Sequence, residues 1–109
     1  MAQKEETIIQ NKIMVELSKL GCKVHRTHSG LFYTSYGERI RIGKPGQSDL
    51  QGHRSPDGKC FYIECKTQTG AKRKEQEKFI EAMKSSGAIA GFARSVEEAL
   101  KLVFPEKYK

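Results

Sequence analysis

The sequence predicts an α/β domain in which a mixed β-sheet is flanked by helices. Apolar residues recur at helical spacing near the start of the chain and again in its second half. Between these segments, short runs of aromatic and β-branched residues are separated by glycine- and proline-containing turns, as in a set of strands. The chain has 109 residues and no low-complexity linker, so we expect one domain over residues 1–109.

The first half of the chain predicts one helix and five strands. The helix covers residues 5–20, because Gly21 stands where a C-terminal cap belongs. The strands cover residues 22–26, 31–36, 39–42, 49–53 and 59–66. The last two are joined by Ser55-Pro56-Asp57-Gly58, a turn sequence with proline at its second position and glycine at its fourth.

The second half predicts a helix, a strand and a helix. Residues 72–85 form the first of these and residues 88–93 the strand. The last helix covers residues 96–102, with Ser95 as its cap and Glu98 at the third position of a capping box. The predicted order of elements along the chain is therefore α-β-β-β-β-β-α-β-α.

The charge balance points to a polyanionic partner. With 20 basic against 13 acidic residues the net charge is +7, and nucleic acid is the commonest polyanion that such a domain binds. An inert basic surface explains the charge equally well. An anionic membrane surface is less favoured, because no predicted helix joins a basic face to a large exposed apolar face.

The composition indicates a protein of the cell interior. No apolar run approaches the ~18 residues that span a membrane, and the N-terminus lacks the hydrophobic core of a signal peptide. The chain has three cysteines, and Cys60 and Cys65 should point to opposite faces of one predicted strand, which argues against a disulfide between them and fits a reducing compartment. We therefore expect a cytoplasmic location without membrane contact.

The turn between the fourth and fifth strands predicts that two carboxylates face each other. Counting outward from its midpoint between Pro56 and Asp57, the eighth residues are Asp49 and Glu64. In an undistorted antiparallel pair, their Cβ atoms lie roughly 4.5–5.5 Å apart. Lys66 is two residues beyond Glu64 and shares its face. The opposite face is apolar and belongs to the core. It carries Leu50, Phe61, Ile63 and Cys65.

Two like charges at this distance destabilise the fold unless a cation lies between them. A hard divalent ion such as Mg²⁺ fits, because it prefers oxygen ligands from carboxylates, water and phosphate. The backbone carbonyl of Cys65 is a further candidate ligand, and Lys66 can direct its ammonium to an attacking water or a phosphate oxygen. The alternative is a cross-strand salt bridge between Lys66 and one of the acids, and a one-residue bulge would break the register.

At these residues the sequence resembles the PD-(D/E)xK nucleases, whose signature matches Asp49 followed by Glu64-Cys65-Lys66 at a strand end. Further segments are similar to the VRR-NUC branch of that superfamily, which also supplies the nuclease domain of the Fanconi-associated nuclease. They cover residues 43–50, 76–79 and 87–97. The resemblance runs from about Glu6 to Leu102. It implies a restriction-endonuclease-like core and a DNA endonuclease that depends on Mg²⁺ or Mn²⁺.

The resemblance also implies roles for single residues. Asp49 and Glu64 match the metal-binding carboxylates, and Lys66 matches the catalytic lysine. Gln76 matches a catalytic-site glutamine on the helix after the catalytic strand. Ser48 replaces the proline of the signature, and we expect this to be tolerated because that proline carries no chemistry.

Related resolvases carry a metal-assisting glutamate on the first helix. Gln10 occupies that position by its distance from Gly21, and Glu6 lies one turn earlier on the same face. Either residue is a candidate metal ligand, and the alternative is that both face solvent.

Standalone members of the VRR-NUC branch, which occur in bacteria and phages, look like homodimers that cut branched DNA, Holliday junctions in particular. A four-way junction has near two-fold symmetry, which suits two active sites related by a C2 axis.

Two rival functions stay open. One is a non-catalytic nucleic-acid-binding module on the same fold, which the intact carboxylate and lysine set argues against. The other is a nuclease that acts on simple duplex DNA or on RNA.

Two basic segments are candidate DNA contacts. They are Arg39, Arg41 and Lys44, which precede Asp49, and Lys72, Arg73 and Lys74, which we expect in the first turn of the second helix. Three positive charges there oppose the helix dipole, and DNA phosphate would offset that cost. A solvated basic face is the alternative.

Overall fold

The computed structural model describes residues 5–27, 30–33, 35–42 and 48–108 of the chain. Within them, three helices and six strands follow one another along the sequence. Their bounds are α1 Glu5–Lys19, β1 Lys23–Arg26, β2 Gly30–Tyr33, β3 Arg39–Ile42, β4 Leu50–His53, β5 Cys60–Cys65, α2 Lys74–Ser85, β6 Ile89–Ala93 and α3 Val96–Val103.

Local sequence accounts for the ends of the helices. Helix α1 begins with two glutamates and ends with Lys19, which complement the helix dipole. Gly21 follows with φ +87°, a left-handed conformation that glycine adopts without strain. At α3, the Ser95 hydroxyl accepts from the Glu98 N–H at 3.2 Å, as the capping box predicts. The Glu98 carboxylate returns to the N–H of Arg94, one residue before the cap.

The strands form two separate sheets in the described part of the chain. A four-stranded sheet has the spatial order β1-β4-β5-β6, in which β5 and β6 are parallel and the other neighbours antiparallel. Strands β2 and β3 pair only with each other, so they form a two-stranded antiparallel sheet. The predicted mixed sheet with flanking helices is therefore confirmed, but it contains four of the six strands.

The predicted register between β4 and β5 is confirmed. Leu50 pairs with Ile63, and His53 pairs with Cys60. The loop between them is wider than the predicted four-residue turn, since the Gly58 N–H donates to the Arg54 carbonyl at 2.7 Å. This loop contains a cis Ser55–Pro56 peptide bond. The register is kept because the Arg54 N–H donates to the Lys59 carbonyl at 2.8 Å, a contact that is symmetric about the same midpoint.

The four-stranded sheet lies between helices. Its apolar face carries the buried side chains predicted for it and packs against α1 and α3. Gly91 on β6 permits the close approach of α3 to the sheet, since a Cβ atom at residue 91 would lie 2.9 Å from Leu102 Cδ1. Helix α2 packs on the other face, where Phe79 meets the edge of the Tyr62 ring at a centroid distance of 5.6 Å. Among the helices that the structure describes, none has the length and apolar composition needed to cross a bilayer.

Candidate active site

Asp49 precedes β4 and is held from both neighbouring strands. Its Oδ2 accepts a hydrogen bond of 2.9 Å from the Cys65 backbone N–H, at the end of β5. Its own carbonyl accepts from the Thr27 N–H at 3.0 Å, which extends the β1–β4 pairing by one residue. The Thr27 hydroxyl also donates to the carbonyl of Ser48. The backbone of three strands therefore sets the position of this carboxylate.

Ser48 contributes more than the sequence suggested. The side chain is fully buried, and its hydroxyl donates to the Leu50 carbonyl at 3.0 Å. A proline has no such donor. Ser48 therefore ties the residues before β4 into a bend that presents Asp49, a role with no signal in the sequence pattern.

Glu64 lies on β5 and is almost completely buried, with 2% of its surface exposed. Its Oε1 accepts a hydrogen bond of 3.0 Å from Gln76 Nε2. Its Oε2 is buried and has no hydrogen-bond partner among the described residues. A buried acceptor without a partner costs free energy, so this oxygen marks a position where a ligand is expected.

Gln76 reaches Glu64 from α2, on the side that the family resemblance implies. Its amide oxygen accepts from the Arg73 N–H at 3.1 Å, while its amide nitrogen donates to Glu64. The first contact caps the start of α2. The two contacts together determine which way round the amide lies, with its donor towards the carboxylate.

The structure distinguishes between the two candidates on α1. Carboxylate oxygens of Glu6, Asp49 and Glu64 all lie within 4.8 Å of one another. The amide oxygen of Gln10 instead accepts a hydrogen bond from Arg26 Nε at 3.2 Å. Glu6 is therefore the α1 residue that faces the two predicted carboxylates.

The electrostatics of the cluster are those of crowded acids. Burial raises the pKa of the Glu64 carboxyl to about 9, and the negative charge of the neighbouring Asp49 reinforces the shift. The Lys66 charge opposes it. Burial also raises the pKa of the Cys65 thiol, so this side chain remains a neutral core residue rather than a thiolate ligand.

The cluster fits a hard divalent cation. Among the described residues, it offers only oxygen donors, one of its buried carboxylate oxygens has no hydrogen-bond partner, and none of its three acids forms an ion pair. Mg²⁺ and Mn²⁺ prefer such donors, whereas a softer metal prefers thiolate or imidazole.

Lys66 follows β5 directly and is 6% exposed. Its backbone N–H donates to the Ala93 carbonyl at 2.9 Å, so the residue continues the pairing with β6. The stem of its side chain lies beside Gly70, where a Cβ atom would be 3.6 Å from Lys66 Cδ. Its positive charge lowers the pKa of the Glu64 carboxyl, against the effect of burial.

The basic segment before α2 differs from its prediction. Helix α2 begins at Lys74, so Lys72 and Arg73 precede it rather than lying in its first turn. All three side chains are exposed, and Lys72 Nζ lies 4.7 Å from the centre of the Phe92 ring. The first turn also carries two glutamates, so of the three basic residues only Lys74 opposes the helix dipole from within the helix. Lys44 and the side chains of Arg39 and Arg41 lie outside the described residues.

Comparisons with known proteins support the fold. The sequence matches no protein-family model and no curated protein. The structure is similar to a solved structure described as "VRR_NUC domain", with a TM-score of 0.68 and 20% sequence identity. The alignment covers 93% of this chain and 96% of that chain. The chain therefore has the VRR_NUC fold, and the restriction-endonuclease-like α/β architecture that the resemblance implies is confirmed.

Proposed function

We propose that this chain is a metal-dependent DNA endonuclease whose active site contains Asp49, Glu64 and Lys66. One observation carries the proposal: carboxylate oxygens of Glu6, Asp49 and Glu64 lie within 4.8 Å of one another, and Glu64 Oε2 is buried without a partner among the described residues. Three acids in this arrangement gain stability from a cation, and the VRR_NUC fold supports a nuclease.

The ligands of the ion in this proposal are oxygens. Glu6, Asp49 and Glu64 contribute carboxylates, and the backbone carbonyl of Cys65 is a further donor. Mg²⁺ or Mn²⁺ is the cofactor. A bound divalent ion supplies a water of lowered pKa and neutralises charge that develops on the scissile phosphate.

The protein side chains around the ion have separate tasks. Lys66 holds the attacking water or a phosphate oxygen with its ammonium group, which is a strong donor to an anion. Gln76 fixes Glu64 Oε1 by a hydrogen bond, and Oε2 has no partner among the described residues. Hydrolysis breaks one phosphodiester bond and leaves a phosphate and a hydroxyl end, with water as the only co-reactant.

DNA is the proposed substrate, and branched DNA the preferred one. The net charge of +7 favours a polyanion. Lys72, Arg73 and Lys74 are exposed beside the start of α2, the helix that also carries Gln76, and we include them in the DNA contact together with Arg39, Arg41 and Lys44. We further propose a homodimer, because symmetric cuts in a Holliday junction need two sites related by a C2 axis.

The experiment that tests this proposal uses labelled four-way junction, flap and linear duplex DNA, each with Mg²⁺ and with EDTA. We expect cleavage with Mg²⁺, strongest on the junction, and none with EDTA. The variants Asp49→Ala, Glu64→Ala and Lys66→Ala should each abolish cleavage while junction binding persists. A matched control is Glu81→Ala on the exposed side of α2, which should cut normally.

Two results contradict the proposal. The first is wild-type protein that cuts none of the three DNA substrates with either Mg²⁺ or Mn²⁺. The second is cleavage that persists in EDTA or in a folded Glu64→Ala protein. Light scattering of the purified chain tests the dimer separately.

A further inference from the structure

Arg94, between β6 and α3, makes an unusual set of contacts with the loop that follows β5. A single guanidinium nitrogen, Nη1, donates to three backbone carbonyls. The acceptors are Thr67, Gln68 at 3.2 Å and Gly70 at 3.0 Å. Backbone carbonyls in an irregular loop need such donors, because no strand partner satisfies them.

These carbonyls belong to a tight turn directly after Lys66. The Gly70 N–H donates to the Thr67 carbonyl at 3.2 Å, which closes the turn of residues 67–70. Gln68 Nε2 donates back to the Arg94 carbonyl at 3.4 Å. The turn and the end of β6 are therefore held together from both sides, with Arg94 as the main donor.

The 67–70 turn lies beside the side chain of Lys66. A Cβ atom at Gly70 would lie 3.6 Å from Lys66 Cδ, so a side chain added to the turn would meet the lysine stem. A lysine stem has four rotatable bonds, and the direction of its ammonium group depends on what covers the stem. The position of the 67–70 turn therefore affects where the Lys66 ammonium points.

We propose that Arg94 is a positioning residue for the reaction, which directs Lys66 towards the scissile phosphate by holding the 67–70 turn. This inference rests on the proposed nuclease function. Arg94 acts on the reaction indirectly, because its effect passes through the carbonyls of the turn.

The contacts of Arg94 predict a specific outcome for the Arg94→Lys variant. Because one nitrogen makes all three contacts, a lysine ammonium, with three N–H donors on one nitrogen, can replace part of them. An arginine that bound a phosphate through two nitrogens would not tolerate this exchange. We therefore expect activity to decrease in the order wild type, Arg94→Lys, Arg94→Ala.

The test measures steady-state cleavage of the four-way junction with Mg²⁺. Arg94→Ala should lower kcat by roughly 10- to 100-fold, the effect of a displaced catalytic group, and leave KM nearly unchanged. The matched control is Arg54→Ala. Arg54 also donates to a carbonyl, that of Val103 at 2.9 Å, but lies at the far end of the β4–β5 hairpin. Its loss should leave kcat unchanged.

A second readout does not depend on activity. The methylene resonance next to the Lys66 ammonium is assigned by NMR as the signal that Lys66→Ala removes. In the ion-free protein, Arg94→Ala should shift this resonance and Arg54→Ala should not. If the wild-type protein cuts no DNA, the proposed function fails, and this spectrum still decides whether Arg94 positions Lys66.

Wild-type kcat or an unshifted Lys66 resonance in folded Arg94→Ala would overturn the inference, as would an Arg94→Lys protein no better than Arg94→Ala. If Arg94→Ala does not fold, Gly70→Ala takes its place. Its added Cβ would lie 3.0 Å from Thr67 Oγ1 and beside Lys66 Cδ, so it displaces the same turn. A Gly70→Ala protein with normal kcat and an unshifted Lys66 resonance would then overturn it.

Discussion

Asp49 Oδ2 accepts a hydrogen bond from the Cys65 backbone N–H at 2.9 Å, so the first acid of the site is anchored to the strand that carries the second. The contact uses the main chain of β5, whose position the sheet determines. The main chain of the sheet therefore holds the two carboxylates close together. The electrostatic cost of burying Glu64 next to Asp49 appears in the raised pKa of Glu64.

Stability of the ion-free protein should fall as the pH rises. The Glu64 pKa is about 9 in the folded protein against 4.5 for an exposed carboxyl, so the folded state binds the proton more tightly. The contribution of this protonated carboxyl to the free energy of unfolding is complete below pH 4.5 and is lost as the pH rises towards about 9. Urea unfolding in EDTA, at about pH 5, 7 and 9, measures this dependence.

Glu64→Gln provides the comparison for that measurement, because glutamine keeps the shape and the acceptor for Gln76 but does not titrate. Its unfolding free energy should vary less with pH than that of the wild type, and Glu81→Gln should keep the wild-type dependence. Saturating Mg²⁺ should stabilise the wild-type protein most at high pH. If the unfolding free energies of the wild type and of Glu64→Gln varied equally with pH, Glu64 would not be the group that causes the pH dependence.

The two hydrogen bonds of Gln76 can be separated by substitution. Gln76→Glu can still accept from the Arg73 N–H, but it cannot donate to Glu64. We expect normal helix stability and a loss of kcat of about 10-fold or more, since supporting contacts to ligand residues have effects of that size. Gln76→Ala loses both contacts and should also destabilise the protein by about 1 kcal/mol. Gln76→Glu with wild-type kcat would show that the donation to Glu64 is unimportant.

Glu6 and Gln10 should differ in their effect on metal affinity. Glu6→Gln removes one carboxylate from the cluster and should weaken Mn²⁺ binding by about tenfold or more, because affinity follows the charge of the ligand set. Gln10→Ala, one turn away on the same helix, should bind Mn²⁺ as the wild type does. Titration calorimetry measures both. A larger effect from Gln10→Ala than from Glu6→Gln would reverse the assignment of the α1 ligand.

The basic segment before α2 should contribute to the salt dependence of DNA binding. Replacing Lys72, Arg73 and Lys74 by alanine should reduce the slope of log K against log salt by about 0.9 for each phosphate that the variant no longer neutralises. The control triple replaces Lys19, Lys59 and Lys107. All three of these lysines are exposed, and Lys59 lies in the β4–β5 loop. Equal slopes for the two triple variants would argue against a DNA-binding role for the segment before α2.

The meeting of Asp49 and Glu64 is predictable from the sequence because it depends on local features. The turn determines the midpoint of the hairpin, and antiparallel pairing carries that midpoint outward one residue at a time. The alternation of apolar and charged residues along β5 selects the same register. The wider loop around Pro56 does not change the β4–β5 register, because the loop contains the same number of residues on each side of the midpoint.

Other parts of the site depend on contacts between distant segments, and the sequence pattern does not reveal them. Glu6 lies in the carboxylate cluster, whereas Gln10 contacts Arg26 on β1, sixteen positions away in the chain. The three carbonyls at Arg94 belong to a turn more than twenty positions earlier in the chain. The separation of β2 and β3 from the main sheet is likewise a matter of packing that strand propensity alone does not determine.

The most direct test of the proposed site is the anomalous diffraction of Mn²⁺ in crystals of the wild-type protein and of Glu64→Ala. Occupancy of one position by Mn²⁺, bonded to carboxylate oxygens of both Asp49 and Glu64 and absent from Glu64→Ala crystals, is the predicted result. Crystals grown with saturating Mn²⁺ that show no anomalous peak between these two side chains would contradict it.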